Sequence, residues 1–144
     1  MLAIDTNVLF ESVVVAARRH AAARTFLDAQ AANPDVVIPE LALVELYALL
    51  RNPAVGARPL PAERAAAVVR SFRAHPHWQL VDHDPAIMDE VWARMGQPGV
   101  SRRRIFDLRM GLGLARHGVK EVATRNTADF DNMGFDRVFD PLAG

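Results

Sequence analysis

Five short apolar or β-branched runs punctuate the chain: Leu2 to Asp5, Val36 to Ile38, Gln79 to Val81, Glu121 to Thr124 and, more weakly, Arg137 to Phe139. Between them lie longer stretches in which apolar residues recur at helical spacing. This alternation constrains the fold more than any other feature, because strands joined through helices return to the sheet in parallel. The expectation is an α/β fold with a central, mainly parallel sheet of four to five strands flanked by helices. The helices are expected at about Ala16 to Ala32, Pro39 to Arg51, Ala62 to Ala74, Pro85 to Met95 and Arg102 to His117. Pro39 and Pro85 suit first helical turns, Asn52-Pro53 stops the second helix, and His117-Gly118 reads as a helix C-terminus. The stretch Asn52 to Pro61, with Pro53, Gly56, Pro59 and Pro61, reads as a surface connection.

A length of 144 residues suits a single domain spanning 1–144 with one active site. Lys+Arg and Asp+Glu balance at 17 each, so a nucleic-acid surface has to come from clustering of charge rather than from its sum. The absence of cysteine excludes disulfides, thiolate zinc sites and a cysteine nucleophile, and agrees with a reducing, cytoplasmic setting. The N-terminus has an acid at position 5 and no basic region, unlike a secretion signal, and Val13 to Ala17 is too short to cross a bilayer, so no membrane association is expected.

Four carboxylates stand in four different places. Asp5 closes the first strand, where open α/β sheets gather their ligand sites, although an Asp there also caps a following turn. Glu45 lies on the helix Pro39 to Arg51 with Leu41, Ala42, Ala48 and Leu49 one turn away on either side. An unpaired ionised carboxylate on an apolar stripe is costly, so Glu45 has a cation partner such as Arg51 or Arg104, carries a proton, or faces an internal polar site. Asp107 follows Arg103 and Arg104 by four and three residues, which fits either an intrahelical ion pair or a metal ligand beside phosphate-binding arginines. Gly111 and Gly113 in the same helix lower its propensity, a sign of close packing. Asp129 lies beyond the fourth strand, where an Asx-turn or helix cap is the plain alternative. Together the four acids can converge on one pocket and bind a hard cation such as Mg²⁺ or Mn²⁺.

The segments Ile4-Asp5-Thr6-Asn7-Val8-Leu9, Pro39 through Glu45-Leu46, Phe106-Asp107-Leu108 and Thr124-Arg125-Asn126-Thr127-Ala128-Asp129-Phe130 occur in an order and spacing that resembles the PIN-domain family, in particular its VapC-type toxins. The resemblance covers nearly the whole chain. It implies a PIN-like three-layer fold and an acidic, catalytic metal-binding cluster of Asp5, Glu45, Asp107 and Asp129. Asn7, Thr124 and Asn126 would be supporting polar residues. It also implies a homodimer, hydrolysis of RNA with Mg²⁺ or Mn²⁺ to give 5′-phosphate and 3′-hydroxyl ends, and a partner antitoxin that silences the toxin. Some PIN nucleases carry a further acid where this chain has Asn126; Asp131 is a candidate replacement for that charge.

The run Arg102-Arg103-Arg104, one turn before Asp107, is the first candidate for gripping the RNA backbone, because guanidinium forks match phosphate oxygens. A solvated helix start is the alternative, and Arg18, Arg19 and Arg24 form a second basic patch. Trp78 and Trp92 read as core residues, and the five histidines lack metal-ligand spacing. Dehalogenase-like phosphatases and receiver domains also begin with an Asp after a first strand. The former place a second Asp where Asn7 stands, and Lys120 is the only lysine. Two other readings are a PIN-like binding module without activity and a PIN nuclease outside toxin–antitoxin pairs.

Overall fold

A computed structural model describes residues 1–55 and 58–144. The strands are β1 (Leu2–Ile4), β2 (Val36–Pro39), β3 (Gln79–Val81), β4 (Glu121–Ala123) and β5 (Arg137–Phe139). They form one sheet in the order β3-β2-β1-β4-β5, with every neighbouring pair parallel. The helices are α1 (Thr6–Val13), α2 (His20–Gln30), α3 (Glu40–Arg51), α4 (Ala62–Arg73), α5 (Met88–Met95) and α6 (Arg104–Arg116). Two 3-10 turns, Pro85–Ile87 and Thr127–Phe130, precede α5 and β5.

Alternation along the strands sorts the core into two layers. Leu2, Ile4, Val36, Ile38 and Ala123 pack with Val8, Leu9, Leu27, Leu43, Leu46 and Leu50 on one face. Ala3, Val37 and Val122 pack with Val91, Leu108, Leu112, Leu114 and Phe130 on the other. Helices α1 to α4 therefore cover one side and α5 with α6 the other, which is the expected three-layer architecture.

The order of strands fixes where a site can form. From β1 the chain steps outward to β2 and β3, then crosses back so that β4 and β5 lie on the opposite side of β1. Open α/β sheets have their ligand crevice at such a reversal, outside the carboxyl ends of the strands. Here that point lies between β1 and β4, so Asp5 and Thr124, the residues just after those strands, meet at it.

All five expected strands form, and the helices after β1 differ from expectation. A helix not anticipated from the sequence, α1, begins directly after Asp5, and the segment expected to be helical from Ala16 starts its helix only at His20. The α6 helix begins at Arg104, leaving Arg102 and Arg103 in the turn before it. Its end is as expected: His117 is the C-cap, Gly118 takes φ +94°, and the Val119 N–H donates to the Leu114 carbonyl. The connection expected over Asn52 to Pro61 includes positions 56 and 57, which lie outside the described residues. Trp92 is 57% exposed, not a core residue, because Val91 takes the inward position on the short α5 helix. Trp78 packs partly against the core, and its Nε1–H donates to the Gln30 carbonyl at 2.9 Å. No helix among the described residues is long and apolar enough to cross a membrane.

Candidate active site

Asp5 sits at the crevice through two backbone facts. Its N–H donates to the Ala123 carbonyl at 3.0 Å, tying it to the end of β4, and its extended conformation makes it the N-cap of α1. Both carboxylate oxygens are held. Oδ1 accepts from the Thr6 N–H at 2.7 Å, while Oδ2 accepts from the Thr124 hydroxyl at 2.7 Å and from Asn7 Nδ2 at 3.4 Å. Thr124 is fully buried, and its oxygen in turn accepts from Asn7 Nδ2 at 3.3 Å and from the Asn126 N–H at 3.1 Å. Asn7 accepts the Arg125 N–H at 3.1 Å through Oδ1. Asn7 and Thr124 thus serve Asp5 directly. The exposed Asn126 reaches the network through its backbone.

Glu45, half-buried on α3, has no ion pair among the described residues. The Thr6 hydroxyl donates to its Oε2 at 3.0 Å and also approaches the Ala42 carbonyl at 3.2 Å. The cations considered as partners point elsewhere: Arg51 donates to the Leu60 carbonyl, and Arg104 Nη1 donates to the carbonyl of Asp129. Of the alternatives open in the sequence, Glu45 occupies an internal polar position. Thr6 was missed as a site residue, although the motif Asp5-Thr6-Asn7 contained it. It is only 4% exposed and touches two of the four acids, one through its backbone and the other through its side chain.

Asp107 and Asp129 come together through close packing of α6 on the second 3-10 turn. A side chain at Gly111 would collide with the Met133 sulfur at 2.1 Å and meet a Phe130 ring carbon at 3.2 Å. The glycine therefore lets α6 lie against the turn that carries Asp129. Gly113 is less crowded, with Ile87 Cδ1 3.9 Å from where a Cβ would stand.

The four acids share an electrostatic environment. Burial pushes the Asp5 carboxyl up, opposed by the Thr124 and Thr6 hydrogen bonds and reinforced by the Asp129 charge. Burial raises Glu45 as well, opposed by the Thr6 bond and reinforced by Asp5. Asp107 is pushed up to about 6 by burial, then by the charge of Asp129, with smaller contributions from Asp5 and Glu45; Arg104 alone works in the opposite direction. Among the described residues, no salt bridge neutralises any of the four. Nor is any group of three or more acid or histidine side chains closed tightly enough to hold a metal ion as it stands. Carboxylates that repel one another, offer only oxygen donors and have no bonded cation among the described residues form a donor set suited to a hard divalent cation.

The remaining candidates separate. Arg104 is the one member of its run in contact with the cluster, while Arg102 and Arg103 are exposed in the preceding turn. Asp131 is exposed and lines a depression on the far side of Arg104, and takes no part in the repulsion felt by Asp5, Glu45 or Asp107. In the second basic patch, Arg19 ties down the C-terminus by donating to the Leu142 carbonyl at 2.6 Å, and Arg24 lies 3.7 Å from Asp28.

A five-stranded parallel sheet with acids gathered at its switch point is the arrangement that the PIN-domain resemblance implies. The profile of the PIN domain matches residues 2–136, and the chain belongs to that family. It is 46% identical over 142 residues to ribonuclease VapC24 of Mycobacterium tuberculosis, in strains CDC 1551 / Oshkosh and H37Rv alike, covering 99% of this chain and 97% of the relative. Two solved structures share the fold at lower identity. One is Mycobacterium tuberculosis VapC20, a Sarcin-Ricin loop cleaving toxin, with a TM-score of 0.71, 16% identity and coverage of 94% of this chain and 96% of that one. The other is FitAB bound to the IR36 DNA fragment, with a TM-score of 0.68, 20% identity and coverage of 100% and 97%.

Proposed function

We propose that the protein is a metal-dependent endoribonuclease that hydrolyses RNA phosphodiester bonds and acts as the toxin of a type II toxin–antitoxin pair. The observation that carries this reading is the convergence of Asp5, Glu45, Asp107 and Asp129, none of them in a salt bridge among the described residues, in a chain nearly half identical along its length to a ribonuclease. These four carboxylates would hold Mg²⁺ or Mn²⁺, which when bound supplies water activation and charge neutralisation at the phosphate. The rest is done by the chain. Thr124 and Asn7 orient Asp5, Thr6 orients Glu45, and Arg104 fixes the backbone of Asp129 while leaving Nε and Nη2 without protein partners among the described residues. That open fork matches two phosphate oxygens.

The antitoxin is expected to be a small protein encoded beside this one, and the active form a homodimer. The experiment is incubation of the purified protein with total RNA in Mg²⁺, Mn²⁺ or EDTA, beside Asp5→Asn and Asp107→Asn, with sequencing of the cut ends. Discrete cuts that require metal, bear 5′-phosphates and vanish in both folded variants support the reading. A wild type as inert as the variants with either metal defeats it and favours a PIN-like binding module.

A further inference from the structure

Next to the acids, between the α5–α6 connection and the loop that follows the second 3-10 turn, lies a depression of about 380 Å³. Arg94, Ser101, Arg104, Leu108, Asp131 and Asn132 line it. The volume falls in the range of small-molecule sites, roughly 300–1,000 Å³. Arg104 links it to the acid cluster: its side chain lines the depression while its Nη1 donates to the Asp129 carbonyl, and Asp131 stands two residues beyond Asp129. An RNA strand with its scissile phosphate at the acids and its backbone on Arg104 would bring an adjoining nucleotide to the depression.

The lining divides into parts that brace and parts that remain open. Arg94 is fully engaged, with Nε at 3.2 Å and Nη2 at 2.7 Å from Glu90 Oε1 and Nη1 donating to the Asn132 carbonyl at 2.7 Å. Asn132 has φ +61°, the left-handed conformation Asn tolerates, so this bond holds a turn that sets the direction of Asp131 beside it. Asp131 itself is exposed, and its carboxylate makes no hydrogen bond or ion pair among the described residues. The partly buried Val100, which lines the depression with the buried Leu108, supplies apolar surface for the face of a ring.

A bare carboxylate beside a path for phosphates repels the backbone, so its value lies in what it accepts. Unpaired RNA bases are read on their edges, and guanine is the base that presents two adjacent donors, N1–H and N2–H, to match two carboxylate oxygens. We propose that this depression is a subsite for one unpaired guanosine adjoining the cleaved phosphate. Asp131 reads the guanine donor edge, and the open fork of Arg104 holds the phosphate between the two sites. The proposal rests on the ribonuclease reading for its substrate class and assigns to that substrate a base preference.

The test measures binding apart from cleavage. Short labelled oligouridine RNAs carrying one central G, A or C, with an all-U control, are titrated by fluorescence anisotropy against the Asp107→Asn protein in EDTA, with and without added Asp131→Asn or Arg104→Ala. The G-containing RNA is expected to bind about tenfold more tightly than the others, the low end for a bidentate base contact. Asp131→Asn should remove most of that preference, and Arg104→Ala should weaken all four RNAs alike. Equal binding of the four RNAs, or a G preference that survives Asp131→Asn in a variant with unchanged circular dichroism, overturns the proposal. The same RNAs are then offered to the wild type with Mn²⁺. A G preference in binding without any cleavage upholds the subsite and defeats the hydrolytic reading, whereas cleavage indifferent to the base defeats the subsite alone.

Discussion

Replacing Asp107 by Asn should make the metal-free protein more stable at neutral pH, even though it removes a residue placed in the site. The Asp107 carboxyl is raised from 3.8 to about 6 in the fold. A raised pKa means that the folded state holds its proton more tightly than the unfolded state does. The charge therefore costs nothing below the unfolded value, an increasing amount between 3.8 and about 6, and its full amount above that. A shift of about two units corresponds to about 3 kcal/mol, and since the side chain is only half-buried, solvent screening reduces this to about 1–2 kcal/mol. The assay is urea unfolding in EDTA at pH 4 and pH 7, comparing Asp107→Asn with the wild type. The variant should gain about 1–2 kcal/mol at pH 7 and match the wild type within error at pH 4. An Asn variant that is less stable than the wild type at pH 7 refutes the claim that Asp107 bears uncompensated charge. An equal gain at both pH values assigns the effect to packing and refutes it as well.

Other consequences follow from the same contacts. Thr6→Val keeps the shape of a buried side chain but removes the donor to Glu45, so Mn²⁺ affinity measured by calorimetry should fall about 10–100-fold, and Thr6→Ser should restore it. Thr124→Val removes a bond that lowers the Asp5 carboxyl, so in that variant the acid limb of a pH–rate profile for RNA cleavage should move to higher pH. Gly111→Val adds a branched side chain where the Met133 sulfur already stands, and should destabilise the fold by about 1–3 kcal/mol in thermal unfolding while also reducing cleavage, because the turn bearing Asp129 is displaced. If Arg104→Ala leaves the salt dependence of RNA binding unchanged, its fork does not hold phosphate; the expected change is a slope smaller by about 1.

The sheet was legible because β-branched and apolar residues concentrate in the runs that become strands, and the central strands β2, β1 and β4 are buried on both sides, while the edge strands β3 and β5 are only partly covered. Helix α1 was not, since Thr6 to Val13 contains Val8, Leu9, Phe10 and Val13, residues at home in a strand, and spans only eight positions. What makes the segment helical is tertiary: Val8 and Leu9 are completely buried against β1 and α3, and Asp5 caps its first turn. The mistaken start at Ala16 has the complementary cause. Alanines at 16, 17, 21, 22 and 23 favour a helix locally, yet Val15 to Arg18 form a turn that redirects the chain so that Ala23 and Leu27 reach the core.

The acids show a different limit. For each of them a plain structural role competed with a catalytic one, as if a residue had to choose. Asp5 does not choose: it caps α1 through Oδ1 and presents Oδ2 to Thr124 and Asn7 at the crevice. The cap is what aims the carboxylate, because the extended conformation required of an N-cap directs its side chain back over the helix start, which here is also the mouth of the sheet. For Glu45, Asp107 and Asp129 the plain roles are absent: no arginine pairs with the first two, and the third lies inside its turn instead of capping it. Local sequence could not distinguish these cases, since Arg103 and Arg104 stand at ion-pairing distance along the helix from Asp107 whichever way they point. The deciding contact is Arg104 reaching to the Asp129 carbonyl, across twenty-five positions of chain, which leaves Asp107 without a bonded cation, so that burial, reinforced by the charge of Asp129, carries its carboxyl up to about 6 against the weaker pull of Arg104.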